Sequence, residues 1–120
     1  LQTVLSAASE AKGKDIVVLN VNQLFSSADY FVVISGKSDR QVQGISNKIL
    51  DAAIEKGITP YSSEGIEEGQ WVLLDFGDVV VHTFYEPVRN HYDIEGLWAK
   101  AEKFMLPDES AEVTRKLLAA

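Results

Sequence analysis

The chain has 120 residues, of which 46% are hydrophobic and 24% are charged. This length and composition are typical of one globular domain that buries a core without disulfides, and they argue against disorder. Eighteen acidic residues against 11 basic ones give a net charge of −7, which is unfavourable for wrapping nucleic acid and favours a basic partner such as a positively charged protein surface. The absence of cysteine excludes a disulfide framework and a thiol nucleophile, and no apolar segment approaches the roughly 20 residues needed to span a membrane.

The first half of the chain predicts two strands between two helices. Residues 1–12 carry apolar side chains at helical spacing, and Gly13 is placed to end this first helix. Residues 15–21 and 30–35 are continuous apolar segments rich in β-branched side chains, which are typical of central strands covered on both faces. Residues 39–56 show one apolar stripe at helical spacing and predict the clearest helix of the chain.

Capping and turn residues indicate where the next elements begin and end. Ser38 and Gln41 fit a capping box at the start of the second helix, and Gly57 is the expected left-handed stop at its end. Residues 58–63 predict a short strand, and Pro60 places it at an edge or a strand start because proline cannot donate a ladder hydrogen bond.

An acidic loop, residues 64–70, leads to a predicted hairpin. Its strands are residues 71–76 and 79–85, and they are joined by Gly77 and Asp78. Glycine at the first loop position fits a type II′ turn, which needs a positive φ there. The sequence therefore predicts an antiparallel pair with a two-residue connection.

The last part of the chain predicts a third helix followed by a tail. Pro87 suits a first helical turn, apolar residues within 94–105 continue a helical stripe as one bent helix or two, and Pro107 closes it. We place a single domain at residues 1–106 and expect residues 107–120 to be a loosely attached tail, with a weak helix as the alternative. The order of elements predicts an α/β fold with a mixed, roughly five-stranded sheet and flanking helices.

The two-residue turn sorts the hairpin side chains onto two faces. One face is apolar apart from one threonine and is the predicted core face: Val72, Leu74, Phe76, Val79, Val81 and Thr83. The other face mixes large apolar side chains with two polar ones: Trp71, Leu73, Asp75, Val80, His82 and Phe84. Aromatic side chains beside a few polar groups are typical of the centre of a protein interface, so we interpret the second face as a binding surface. The alternative is that the third helix or the tail covers it, and a register slip of one residue would exchange the two faces.

Three features resemble parts of enzyme sites. Residues 36–38 lie between a strand and a helix, where amides can hold phosphate, but the rest of a P-loop is missing and an ordinary capped turn is the preferred interpretation. Asp75 and Asp78 resemble a metal-binding pair, yet their odd separation directs them to opposite faces. His82 and His91 are the only histidines, and no serine shares a face with His82. The sequence therefore predicts no catalytic constellation.

Two long segments carry a family resemblance. Residues 28–43 (ADYFVVISGKSDRQVQ) and 71–92 (WVLLDFGDVVVHTFYEPVRNHY), continued by residues 93–98 (DIEGLW), closely resemble the ribosomal silencing factor, or Iojap, family. The resemblance extends from about residue 15 to residue 104, which is most of the chain. It implies a nucleotidyltransferase-like fold without the catalytic carboxylates of that fold, no enzymatic activity and no cofactor.

The resemblance also implies a partner and a function. The expected partner is large-subunit ribosomal protein fourteen on the face that meets the small subunit, with no direct contact to nucleic acid or membrane. Binding there would block subunit joining and repress translation. One alternative is that the protein assists large-subunit assembly through the same contact. A less favoured alternative is a residual nucleotidyltransferase that uses residues 36–38 with Asp75 and Asp78. Bacterial members are cytosolic. Because the sequence begins at Leu1, we expect a trimmed chain, and an organellar protein would carry a transit peptide before it.

The binding surface and the resemblance together predict which side chains contact the partner. An apolar anchor is expected at the centre of the surface: Trp71, Leu73 and Phe84. Acidic side chains are expected to pair with Lys or Arg of the partner: Asp75, Asp78, Glu67 and Glu68. Two further contacts are expected at the rim: His82 and Tyr92. The alternative occupant of this surface is a second copy of the chain, which would form a homodimer of the free protein.

Overall fold

The computed structural model describes residues 1–22, 24 and 28–106. The tail predicted at 107–120 lies outside the described residues. The described elements follow in this order: α1 (Gln2–Glu10), β1 (Lys14–Asn20), β2 (Tyr30–Gly36), α2 (Asp39–Glu55), β3 (Ser62–Glu64), β4 (Trp71–Asp75), β5 (Val79–Tyr85), α3 (Glu86–Tyr92), α4 (Ile94–Leu97) and β6 (Glu102–Leu106). Within these ranges, no helix combines the length and the apolar character that a bilayer crossing requires.

The strands form one mixed sheet in the order β3-β4-β5-β2-β1-β6. β2 and β5 are parallel, and the other neighbouring strands are antiparallel. The predictions of a mixed α/β sheet and of central positions for β1 and β2 are confirmed. β3 lies at an edge as predicted, although it covers residues 62–64 rather than 58–63.

The sheet has six strands rather than about five, because the predicted helical stripe does not continue to its end. Asp93 adopts a left-handed conformation with φ of 47° between α3 and α4, and α4 has only four residues. Residues 102–106 instead pair with β1, where Phe104 lies opposite Val18 and Leu106 opposite Ile16. The helical interpretation was wrong here because the buried, apolar β1 provides an edge whose backbone groups a further strand satisfies.

α2 begins and ends as its capping residues predict. The Gln41 N–H donates to Ser38 Oγ at 3.1 Å, and Gly57 has φ of 75°. In a capping box the Gln41 side chain would accept from the Ser38 N–H, but here Gln41 Oε1 accepts from the Lys37 N–H at 2.6 Å, one residue earlier. The side chains of Ser38 and Gln41 thus both bond to the backbone at the start of α2.

The residue that ends α1 is Lys12 rather than the predicted Gly13. Lys12 is left-handed, with φ of 63°. Gly13 lies so close to β2 that a Cβ atom there would be 2.7 Å from Ile34 Cγ2. The glycine therefore permits close packing of the α1–β1 connection on the sheet.

Apolar cores lie on both sides of the sheet. α1 and α2 pack on one side, where Val72, Leu74 and Val81 are fully buried, so this face of the hairpin is core as predicted. On the other side, residues of β1, β2 and β5 and the residue after β1 form a second cluster: Val17, Leu19, Val21, Phe31, Val33 and Phe84. Side chains of the α3–α4 region cover only part of this second side.

Candidate protein-binding surface

The β4–β5 hairpin has the predicted register. Trp71 lies opposite Phe84, Leu73 opposite His82, and Leu74 opposite Val81. The Phe76 N–H donates to the Val79 carbonyl at 2.9 Å, and Gly77 has φ of 87° at the turn. Because the register is confirmed, the alternation of side chains between the two faces is confirmed with it.

The second face of the hairpin is covered at one end and open at the other. Phe84 is completely buried and His82 is 6% exposed. The remaining side chains of this face are half-buried: Trp71, Leu73, Asp75 and Val80. Tyr92 of α3 borders them and is 51% exposed. We call Trp71, Leu73, Asp75, Val80 and Tyr92 the Trp71 surface.

Trp71 is held by three neighbouring rings. Its ring centroid lies 5.0 Å from that of Phe84 in a stacked arrangement and 4.7 Å from that of Tyr92 in a tilted one. Its Nε1–H donates to Nδ1 of His82 at 3.1 Å. Such aromatic packing fixes a large apolar side chain at low entropic cost, which is typical of interface anchors.

A groove runs beside Trp71 at the start of α3. Its volume is about 460 Å³, and its lining is mostly aromatic and aliphatic: Gln70, Trp71, Tyr85, Pro87, Val88, His91 and Tyr92. The groove is continuous with the Trp71 surface because Trp71 and Tyr92 belong to both. A concave, mostly apolar groove of this kind is suited to an apolar side chain of a partner protein.

His82 and Phe84 lie beneath the surface rather than on it. We expected Phe84 in the anchor and His82 at the rim, but the α3–α4 region covers this part of the sheet. Burial lowers the pKa of His82 to about 4, so the imidazole is neutral at pH 7. Phe84 therefore supports Trp71 from below, and His82 bonds to it from the side.

The predicted acidic contacts fall into two groups at opposite ends of β4. At the turn, Asp75 Oδ1 accepts from the Gly77 N–H at 2.8 Å, and Asp78 is exposed. At the other end, Glu67 and Glu68 are exposed on the loop before Trp71. Four residues of strand separate the two ends by about 13 Å. Asp75 lies on the Trp71 surface, but Asp78 lines a cavity with Leu1 and Ala53 on the α1–α2 side. The loop with Glu67 and Glu68 lies against α2, where Gln43 Nε2 donates to the Glu67 carbonyl at 2.8 Å. Of the predicted acidic contacts, only Asp75 therefore lies on the Trp71 surface.

Arg89 is a buried residue that the sequence did not predict as part of the site. Its Nε donates to Glu95 Oε1 at 2.8 Å, and its Nη1 donates to the Asp15 carbonyl at 2.7 Å and to Ser35 Oγ at 2.8 Å. Burial alone would raise the pKa of Glu95, but the bond and charge of Arg89, together with Lys103, hold it below its usual value. Arg89 fixes α3 to the sheet through partners that are distant in sequence, which is why no local pattern reveals it.

The turn between β2 and α2 does not present a free phosphate cradle. The Lys37 N–H is bonded to Gln41, and a Cβ atom at Gly36 would lie 2.9 Å from Val42 Cγ2. These contacts support the capped-turn interpretation over the phosphate one. Among residues 1–22, 24 and 28–106, no group of three or more His, Cys, Asp or Glu side chains is placed to hold a metal ion.

Comparison with known proteins gives a consistent result. A family model described as ribosomal silencing factor during starvation matches residues 1–118. The chain is 42% identical over 101 residues to ribosomal silencing factor RsfS of Bacillus subtilis, covering 84% of this chain and 86% of that protein. It is 28% identical over 101 residues to a mouse protein named for mitochondrial assembly of the ribosomal large subunit, covering 82% of this chain and 44% of that protein. An X-ray structure of a Chromobacterium violaceum protein superposes with a TM-score of 0.79 at 38% identity, covering 90% of each chain.

Proposed function

Because the chain belongs to the ribosomal silencing factor family, we propose that it binds the large ribosomal subunit through the Trp71 surface and sterically blocks the small subunit from joining. The partner in this proposal is ribosomal protein fourteen of the large subunit, on the face that meets the small subunit. The observation that carries the proposal is the open aromatic surface on one side of a sheet whose other side is packed by α1 and α2. A ring held by neighbouring rings and left half-exposed is the usual anchor of a protein interface.

The charge of the chain supports a basic partner. A net charge of −7 steers association with a basic protein of the ribosome and opposes binding to bare ribosomal RNA. Asp75 is the acidic side chain of the Trp71 surface, and in this proposal it pairs with Lys or Arg of the partner. Asp78, Glu67 and Glu68 lie toward the α1–α2 side and add to the overall negative charge. An apolar centre bordered by a charged side chain matches the general anatomy of protein interfaces.

An assembly function is the second candidate, because the mouse relative is named for assembly of the mitochondrial ribosomal large subunit. Assembly and silencing would use the same contact with the large subunit. They differ in the consequence of binding, since a silencing factor prevents subunit joining and an assembly factor leaves the mature subunits able to join. In a bacterial cell we propose that the protein acts in the cytosol, and an organellar relative would act on the ribosomes of its own compartment.

The test is a titration of the purified protein onto isolated large ribosomal subunits, followed by cosedimentation and then by addition of small subunits. We expect binding that weakens as salt rises and a loss of joined ribosomes. Trp71→Ala should weaken binding by about 30-fold, which corresponds to about 2 kcal/mol for a central anchor. Ile54→Ala is the control, because Ile54 is 63% exposed on α2, away from the Trp71 surface.

Each contrary outcome has a distinct meaning. Wild-type protein that fails to bind at low and at moderate salt would contradict the proposed function. Binding with unimpaired joining would favour assembly over silencing. A Trp71→Ala variant that binds as well as Ile54→Ala would show that the contact lies elsewhere on the chain.

A further inference from the structure

His82 is a polar side chain in an aromatic cluster. It lies 5.4 Å from Phe31 and 6.2 Å from Phe84, measured between ring centroids, and it is 6% exposed. Nδ1 accepts the hydrogen of Trp71 Nε1, which places the proton of the neutral imidazole on Nε2. Nε2 is buried and has no hydrogen-bond partner among the residues that the structure describes. The imidazole therefore makes one hydrogen bond there, and that bond is to Trp71.

Packing alone does not account for an imidazole at this position. A buried N–H group without an acceptor costs free energy, and a leucine or phenylalanine side chain would fill the space between Phe31 and Phe84 without that cost. The Nδ1 atom is the feature that an apolar side chain would lack. The bond to Trp71 is thus the interaction that distinguishes histidine from an apolar residue here.

The bond acts on the half-exposed Trp71. Stacking on Phe84 sets the plane of the indole, and the bond to His82 sets its rotation within that plane. Nε1–H is the only hydrogen-bond donor of the indole side chain. Because His82 satisfies it inside the protein, a partner that covers Trp71 meets an apolar ring and leaves no donor unpaired.

We propose that His82 is a positioning residue, which holds the Trp71 indole in its binding orientation and satisfies its N–H before the partner arrives. The inference rests on the proposed function, since it concerns the same surface. A preorganised anchor binds more tightly because less rotational freedom is lost on binding. His82 thereby contributes to partner binding without contacting the partner.

Two substitutions separate positioning from packing. His82→Asn keeps an acceptor oxygen near the position of Nδ1 but is smaller and leaves a buried polar amide, so it should be the less stable variant. His82→Leu fills the space but offers no acceptor. If His82 only fills space, the affinity for the partner should follow stability, and His82→Leu should bind more tightly than His82→Asn. If His82 positions Trp71, His82→Asn should bind more tightly than His82→Leu although it is the less stable variant.

The first measurement is a nitrogen–proton correlation spectrum of the indole groups. The chain has two tryptophans, and Trp98→Phe identifies the resonance of Trp71. We expect a Trp71 indole proton that exchanges slowly with water in the wild type and in His82→Asn, and rapidly in His82→Leu. Slow exchange in all three proteins would overturn the proposal, because the bond would then not depend on the acceptor.

The second measurement is the affinity of each variant for isolated large ribosomal subunits, under conditions where urea titration shows both to be folded. His82→Leu should bind about tenfold more weakly than the wild type, and His82→Asn within about threefold of it, as expected for one hydrogen bond. Equal binding of wild type and His82→Leu would overturn the positioning role while leaving the proposed function intact. Failure of the wild type to bind would remove both, and the spectrum would still report whether the bond exists.

Discussion

The two sides of the sheet are built from different chemistry. The side packed by α1 and α2 is filled from the hairpin by aliphatic residues such as Val72, Leu74 and Val81, all fully buried. The side that carries the Trp71 surface combines aliphatic residues of β1 and β2 with the aromatic rings around Trp71, and polar bonds such as Trp71 to His82 and Arg89 to Glu95 add to its packing. In the proposed function the first side serves stability and the second serves recognition, because aromatic residues with fixed orientation remain accessible there.

The polar bonds explain how the second side stays ordered while it remains open. An aliphatic surface of this size left exposed would lower solubility and have no defined orientation. Hydrogen bonds from Arg89 to the Asp15 carbonyl and Ser35 hold α3, and α3 in turn places Tyr92 beside Trp71. Directional interactions therefore add to burial in ordering this side. Substitutions that affect one side only can test this contrast.

The largest effect is expected for the two adjacent leucines of β4, which point to opposite sides. Leu74 is completely buried and Leu73 is half-buried. Leu74→Ala should lower the free energy of unfolding by about 4 kcal/mol because it leaves a cavity, and Leu73→Ala by roughly 1 kcal/mol. Urea denaturation at neutral pH measures both.

Binding should show the reverse order, in experiments at temperatures where Leu74→Ala is folded. Leu73→Ala should weaken association with large ribosomal subunits, and Leu74→Ala should leave it near the wild-type value. If both variants lost stability equally, the second side would be as tightly packed as the first, and the contrast between the sides would be wrong.

The sequence predicted most of this contrast because the determinants are local. Gly77 at the turn sets the register, and the register assigns Leu73 and Leu74 to different sides. Coverage of this face by the third helix was only the alternative prediction, and it holds for His82 and Phe84. The sequence could not decide it, because the position of α3 and α4 is set by contacts such as Arg89 with Ser35, 54 residues apart in the chain. The helix predicted over the residues of β6 was wrong for a similar reason. Their apolar spacing also fits a helix, but pairing with β1 decides the structure.

The second prediction concerns how the free energy of unfolding depends on pH through His82, on the Trp71 side. Burial lowers the pKa of His82 from 6.5 to about 4, so the unfolded chain takes up a proton at a higher pH than the folded one. Stability from this group is fully present above pH 6.5, falls as the pH is lowered, and is lost by about pH 4. The difference of 2.5 pH units corresponds to about 3 kcal/mol.

The measurement is urea denaturation of the wild type and of His82→Leu at several pH values from 8 to about 4. The unfolding free energy of the wild type should fall relative to that of His82→Leu across that window, because only the wild type loses this contribution. Glu95 contributes in the same direction but only at lower pH, since its lowered pKa starts from 4.5, and it is common to both proteins. Parallel curves would show that His82 is solvated in the folded state.

The smallest effect compares two similar ion pairs on the two sides. Lys103 Nζ lies 3.4 Å from Glu95 Oε2, and Lys48 Nζ lies 3.5 Å from Glu10 Oε2, with lysine side chains 46% and 50% exposed. The acids differ, since Glu95 is 21% exposed and Glu10 is 67% exposed. Lys48→Gln should change the unfolding free energy by less than about 0.5 kcal/mol, as for most exposed pairs, and Lys103→Gln by roughly 0.5 to 1 kcal/mol.

The difference between these pairs should also appear in their dependence on salt. Added salt screens the exposed pair of α1 and α2 almost completely, whereas the Glu95 carboxylate is partly shielded from solvent and is already oriented by Arg89. The effect of Lys103→Gln should therefore persist at high ionic strength, and that of Lys48→Gln should vanish. If both effects vanished together, Lys103 would add nothing beyond surface charge, and Arg89 alone would hold Glu95 and the end of α3 on the Trp71 side.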